Sequence, residues 1–155
     1  TEGVRLSWQV VDDAGNAADP LELVVGDVGG DVWDDLGFGL GGSSGVPAVL
    51  AGSGPLTPLS NNVLALTGAP ANGSTNLVLG LSRIDAPFKG GLLVPSVDIV
   101  LFGLPTDGAG ALALPFSWPV GVPAGVDVFF QHWAPDGGGP AGFAASNALR
   151  GRSQD

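Results

Sequence analysis

Apolar residues recur at every second position in short runs along this chain, and Gly or Pro ends each run before a helix could form. The 155 residues include 27 Gly and 13 Pro, and no helical period is sustained over about eleven residues. Alternation of period two puts every second side chain on one face of a strand. Strands of this length, separated by turn residues, predict an all-β chain. The expected architecture is an antiparallel β-sandwich, Ig-like or jelly-roll-like, with an N-terminal strand-loop-strand arm. The hydrophobic share of 45% argues against disorder.

The clearest pair of runs lies between Phe88 and Pro119. Val97, Ile99 and Leu101 alternate before Thr106-Asp107-Gly108-Ala109-Gly110, and Leu112, Leu114, Phe116 and Trp118 alternate after it. The Asp-Gly step supplies the positive φ of a tight turn, which predicts a hairpin with these residues on its buried face. Further strands are expected around Val63–Thr67, Leu77–Leu81, Leu92–Pro95, Val126–Phe130 and Phe143–Leu149, with a shorter one within Val46–Gly52. Four divisions follow. Residues 1–30 form an acidic β-arm, with Val4, Leu6, Trp8 and Val10 alternating before the turn-rich Asp12–Asn16 and Leu21, Leu23 and Val25 after it. Residues 31–46 form a Gly-rich connecting segment whose Trp33, Leu36, Phe38 and Leu40 are expected to dock on the core. Residues 47–150 form the sandwich, and 151–155 form a frayed tail.

Charge narrows the partners. The net charge is −10 with five Lys and Arg, which argues against nucleic acid and anionic membrane surfaces, since both attract basic patches. There is no Cys, hence no disulfide framework, thiolate metal site or Cys nucleophile. No apolar run reaches the length of about 18 residues that would predict a transmembrane helix. The chain starts with Thr1 and shows no signal peptide, so a processed or excised start is expected.

Few residues offer chemistry. His132, the single His, could act as a base or metal ligand beside Asp136; the competing and favoured reading is a strand-end ring packed between aromatics. No G-x-S-x-G element accompanies it. The adjacent carboxylates Asp12/Asp13 and Asp34/Asp35 alternate across a strand, so neither pair converges on one glycosidic bond. Asp12, Asp13, Asn16 and Asp19, and then Asp27, Asp31, Asp34 and Asp35, offer hard oxygen ligands for Ca²⁺, although the EF-hand spacing is absent. The competing reading is a solvated acidic set that keeps an apolar chain soluble. Trp8, Trp33, Trp118 and Trp133 could line a sugar platform, but alternating strand positions favour core packing. Asn72-Gly73-Ser74 matches a glycosylation sequon and is read as a turn.

From about Gly37 the chain resembles a recurrent module of large exported proteins of planctomycetes and other environmental bacteria. The resemblance rests on Gly52-Ser53-Gly54-Pro55-Leu56, Leu77-Val78-Leu79-Gly80-Leu81-Ser82, Pro87-Phe88-Lys89-Gly90-Gly91, Leu93-Val94-Pro95, Pro105-Thr106-Asp107-Gly108, Trp118-Pro119 through Pro123-Ala124-Gly125, and Phe143–Leu149. It implies a secreted, C-terminally placed β-module and carries over no catalytic residue. Residues 1–27 are similar to the last hairpin of bacterial Ig-like or fibronectin-like modules, through Asp13-Ala14-Gly15-Asn16. The expected function is therefore a non-catalytic module, secreted or on the cell surface. Its partners would be other copies of itself, or neighbouring β-domains, paired through the N-terminal arm. The alternative is a Ca²⁺- or carbohydrate-binding accessory module of a larger secreted protein.

Overall fold

The computed structural model describes residues 31–155 and, before them, the backbone of the strands Gly3–Trp8 and Leu21–Asp27. The chain divides into two compact units, Thr1–Asp31 and Val32–Asp155. In the first, β1 (Gly3–Trp8) and β2 (Leu21–Asp27) pair antiparallel. Their register sets Val4 opposite Val25, Leu6 opposite Leu23 and Trp8 opposite Leu21. Directly paired residues share a face, so six apolar positions fall on one face of this ribbon.

The second unit is a sandwich of unequal sheets. The smaller has three strands in the order β10-β5-β4: β4 (Val49–Ser53), β5 (Asn61–Thr67) and β10 (Leu112–Ser117). The larger runs β3-β13-β11-β6-β9: β3 (Trp33–Gly37), β6 (Ser74–Gly80), β9 (Ile99–Pro105), β11 (Asp127–Pro135) and β13 (Ala148–Arg152). Beside β11, in line with β13, lies β12 (Phe143–Ala145). The hairpin β7 (Arg83–Phe88) and β8 (Gly91–Pro95) packs on the outer face of the larger sheet. Every pairing among the described strands is antiparallel, and the all-β sandwich expected from the period-two pattern is what the residues form.

Two clusters hold the layers. Leu50, Leu64, Leu66, Leu77, Phe130 and Leu149 fill the space between the sheets. On the other face, Val78, Leu93, Trp133 and Ala145 pack under β8. The larger sheet is therefore covered on both sides along β11, whose residues Phe129–Ala134 are all buried. Gln131 sits inside this strand with no exposure. Its amide donates to the Leu92 and Ser146 carbonyls at 3.1 and 3.2 Å and accepts from the Val94 N–H at 3.1 Å. One side chain thus ties the outer hairpin to the sheet and leaves none of its own polar atoms unpaired.

The expected hairpin between Val97 and Trp118 does not form. β9 pairs with β6 in the larger sheet, and β10 pairs with β5 in the smaller. The Asp-Gly stretch is an arch that crosses the sandwich. Asp107 accepts from Gly110 N–H through its carbonyl and from Ala109 and Ala111 N–H through its carboxylate. The arch stacks against the parallel crossing from β5 to β6: Asn72 N–H donates to Asp107 C=O, Thr106 N–H to Gly73 C=O and Ala69 N–H to Gly110 C=O. At Gly110, φ is +72° and an added Cβ would lie 1.9 Å from the Ala69 oxygen, so only glycine lets the two arches approach this closely. The run Leu112, Leu114 and Phe116 does pack on the core. Val97, Ile99 and Leu101 do not: each is more than two-fifths exposed.

Three divisions also change. The connecting segment 31–46 contributes a strand, β3, bonded to β13, and Leu40 bridges to Ala145. The sandwich therefore begins at the Trp33 strand and not at residue 47. Residues 151–155 are not a frayed tail. Gly151 and Arg152 belong to β13, Ser153 and Gln154 are buried, and Gln154 N–H donates to Leu56 C=O. The predicted last strand, Phe143–Leu149, is broken in two. Between the pairs Trp133/Ala145 and Phe130/Leu149, two residues of β11 face three of the partner, a bulge at Ser146–Ala148.

Candidate functional site

Two places in the sandwich could receive something, and they lie at different positions. One is a cavity of about 470 Å³ lined by His132, Thr75, Ser146, Ser43 and Asp136, among small apolar residues. His132 is buried, and the cost of desolvating an imidazolium pushes its pKa down to about 4, so it is neutral at physiological pH. Its Nδ1 meets Thr75 Oγ1 at 3.1 Å. That is hydrogen-bond reach for a nucleophile and a base, but Thr75 has no exposed surface. Asp136 is occupied elsewhere. Its carboxylate accepts from Ser43 N–H and Oγ–H and from Gly138 N–H, and these bonds hold its pKa below the usual carboxylate value. No hydrogen bond joins it to His132 among the described residues. The sequence-level pairing of His132 with Asp136 therefore gives two wall residues of one cavity, without an oriented base.

Among the described residues no Trp or Phe lines that cavity. The tryptophans pack as core: Trp33 stacks edge-on to Phe116 and tilts on Phe130, Trp118 meets Phe116, and Trp133 meets Phe88 at 5.0 Å. Trp8 is placed by backbone only.

The acidic positions are dispersed. Asp12, Asp13, Asn16 and Asp19 lie outside the described residues, and Asp27 is described by its strand alone. Asp31 is exposed. Asp34 faces Arg150 at 3.7 Å, while Asp35 accepts from Asn147 Nδ2 and Gly37 N–H. Among the described residues no three acidic or His side chains gather as a metal site would need.

The second place is the flank where β9 and β10 end their sheets. Three strands cannot cover five. Leu79 of β6 is only partly buried and Leu101 of β9 is exposed, and with Leu77, Leu114, Phe116, Trp118, Val128 and Phe130 they line an apolar cleft of about 310 Å³. Ile99 pairs with Leu79 and shares its face; it is 56% exposed, and Val97, just before β9, is 57% exposed. Inside the cleft wall, the Trp118 indole N–H is buried without an acceptor among the described residues, a state that costs about 1–3 kcal/mol.

The opposite flank is capped at Leu50. Asn147, re-aimed by the bulge, accepts from Leu50 N–H at 2.7 Å and donates to Leu50 C=O at 2.9 Å. Its side-chain amide caps Leu50 on the free edge of β4 as a neighbouring strand would. Nothing in the sequence singled out Asn147 or Gln131, and Val97, Ile99 and Leu101 were expected on a buried face and not on an open flank. A bulge and a difference in sheet width are tertiary facts without a local residue signature.

No protein-family model, no curated protein and no solved structure matches this chain.

Proposed function

We propose that this chain is a non-catalytic structural module that assembles with copies of itself, or with neighbouring β-domains, by strand pairing of its N-terminal arm. Its setting would be the cell surface or an extracellular filament or matrix, as the resemblance to exported bacterial β-modules implies. The observation that carries the reading is the β1–β2 ribbon, a compact two-stranded unit whose register puts Val4, Leu6, Trp8, Leu21, Leu23 and Val25 on one face. A two-stranded ribbon is marginal by itself in water, and an apolar face of six residues gains stability only against another surface. Its unpaired edges can also add to an exposed sheet edge. The acidic residues concentrated in the first 35 positions keep such an arm soluble before it docks.

The test is removal of residues 1–27 followed by measurement of particle size. The intact chain is expected to form multimers and the shortened chain to remain a folded monomer. A shortened chain that assembles like its parent, or an intact chain that stays monomeric, overturns the reading.

A further inference from the structure

Resting on the arm-pairing reading above, we infer that the acceptor is the apolar cleft between β9 and β10, and that its occupant is the β1–β2 ribbon of a second copy of this chain. The cleft has the form of a missing sheet edge. A ribbon laid beside β10 extends the three-stranded sheet across β9 and covers Leu79, Ile99 and Leu101. The ribbon carries the matching surface, six apolar positions on one face. The other edge of the smaller sheet offers no equivalent, because Asn147 already fills the hydrogen bonds of Leu50 on β4.

The β10 edge is accessible yet blunted. Trp118 N–H donates towards β5, to Ser60 C=O. Alternate residues of a strand point their N–H groups to opposite sides, so Pro115, an odd number of positions away, turns its nitrogen to the open side. That removes one donor from the edge, as a proline on an edge strand does. Generic strand addition is thereby discouraged, while a partner that also buries its apolar face can still bind.

Chain length favours another copy's arm over a copy's own. Six Cα–Cα steps separate Asp27, at the end of β2, from Trp33, at the start of β3, a reach of about 20 Å when fully extended. β3 and β9 are the opposite edges of the larger sheet, four strand spacings apart, or about 19 Å. A linker of that reach has no slack for a route along the rim of the sheet, so an arm supplied by a second copy is under less constraint than the chain's own. A donor arm and an acceptor cleft on different parts of the chain give a head-to-tail contact, which builds a ring or an open filament according to the rotation it imposes.

The absence of Cys allows a direct test by paired substitutions. Leu6→Cys is combined with Leu101→Cys on the cleft, or with Val49→Cys on the capped flank, and the full chain is oxidised under native conditions and sized by denaturing electrophoresis. The expected result is a ladder of covalent multimers from the Leu6/Leu101 pair and none from the Leu6/Val49 pair. Leu101→Arg, at a position 42% exposed, should disperse the multimers without lowering the melting temperature of the sandwich, whereas Val49→Arg should leave them intact. A multimer that links through Val49, or that survives Leu101→Arg, overturns the cleft as acceptor while arm-driven assembly stands. A Leu6–Leu101 bond within a single chain overturns the second copy as occupant. A chain that stays monomeric and forms no link overturns the arm-pairing reading as well.

Discussion

Replacement of Gln131 by Leu removes the bonds to Val94, Leu92 and Ser146, and a longer one of 3.5 Å to the Phe38 carbonyl, while nearly preserving volume, so it isolates the polar tie between the outer hairpin and the larger sheet. The Val94 N–H and the Ser146 carbonyl lie in fully buried residues, while Leu92 is only half-buried. Water can reach the Leu92 carbonyl but cannot replace the other two partners. Each orphaned buried group costs about 1–3 kcal/mol, and the leucine recovers part of that by apolar burial, which leaves a net loss of about 3 kcal/mol. For a domain of this size that is a fall of about 10 °C in melting temperature. Gln131→Glu separates this cause from simple misfit. It keeps an acceptor for Val94 N–H but turns an oxygen towards two carbonyls, which favours the protonated acid and raises its folded-state pKa. A raised folded pKa means stability present below the unfolded glutamate value, about 4.3, and lost as pH rises through the folded value. Relative to the parent, Gln131→Glu should therefore be closest at pH 4 and weakest at pH 7. Melts followed by circular dichroism at the two pH values measure both effects. If Gln131→Leu melts within about 1 °C of the parent, or Gln131→Glu shows the same deficit at both pH values, the assigned role of this amide is wrong.

Two further perturbations test other parts of the packing. His132 is held neutral by burial, with its pKa pushed down to about 4 against an unfolded value of about 6.5. Its contribution is complete above the unfolded value and is lost as pH falls from there through 4, to a total of about 3 kcal/mol; His132→Asn should flatten that limb of the urea-stability profile between pH 6.5 and 4.5, and an unchanged limb would refute the assignment. Gly52→Ala places a Cβ 2.2 Å from the Trp33 ring, so β4 and the indole must separate, at about 1–3 kcal/mol, with a red shift of tryptophan emission; an unshifted spectrum and melt would show that the contact relaxes freely.

The strands were legible in the sequence wherever one face met the core, because period two survives burial on one side. Leu77, Leu79, Leu112, Leu114 and Phe116 could be assigned to inward positions on pattern alone. The pairing of strands was not legible. Asp107-Gly108 makes the same tight turn in an arch as in a hairpin, and what decides between them is that β9 finds β6 and β10 finds β5, partners about 25 and 50 residues away. Alternation also misassigned Val97, Ile99 and Leu101. Their pattern is that of a covered strand, and the strand that would cover them is absent from the sandwich. The buried C-terminal residues were missed because Ser153 and Gln154 are held by backbone bonds to Val126 and Leu56, which a polar sequence does not advertise. Of the residues considered for chemistry, His132 and Asp136 were brought to one cavity, while the candidate surface came from apolar residues whose exposure no local rule foretells.

Amide hydrogen exchange across a concentration series tests the central claim most directly. If the β9/β10 flank is where copies join, the amides of Ile99–Pro105 and Leu112–Ser117 gain protection as concentration rises, and those of β4, whose edge Asn147 already caps at Leu50, do not change. Exchange along β9 and β10 that is the same in dilute and concentrated samples, with assembly taking place, would contradict it.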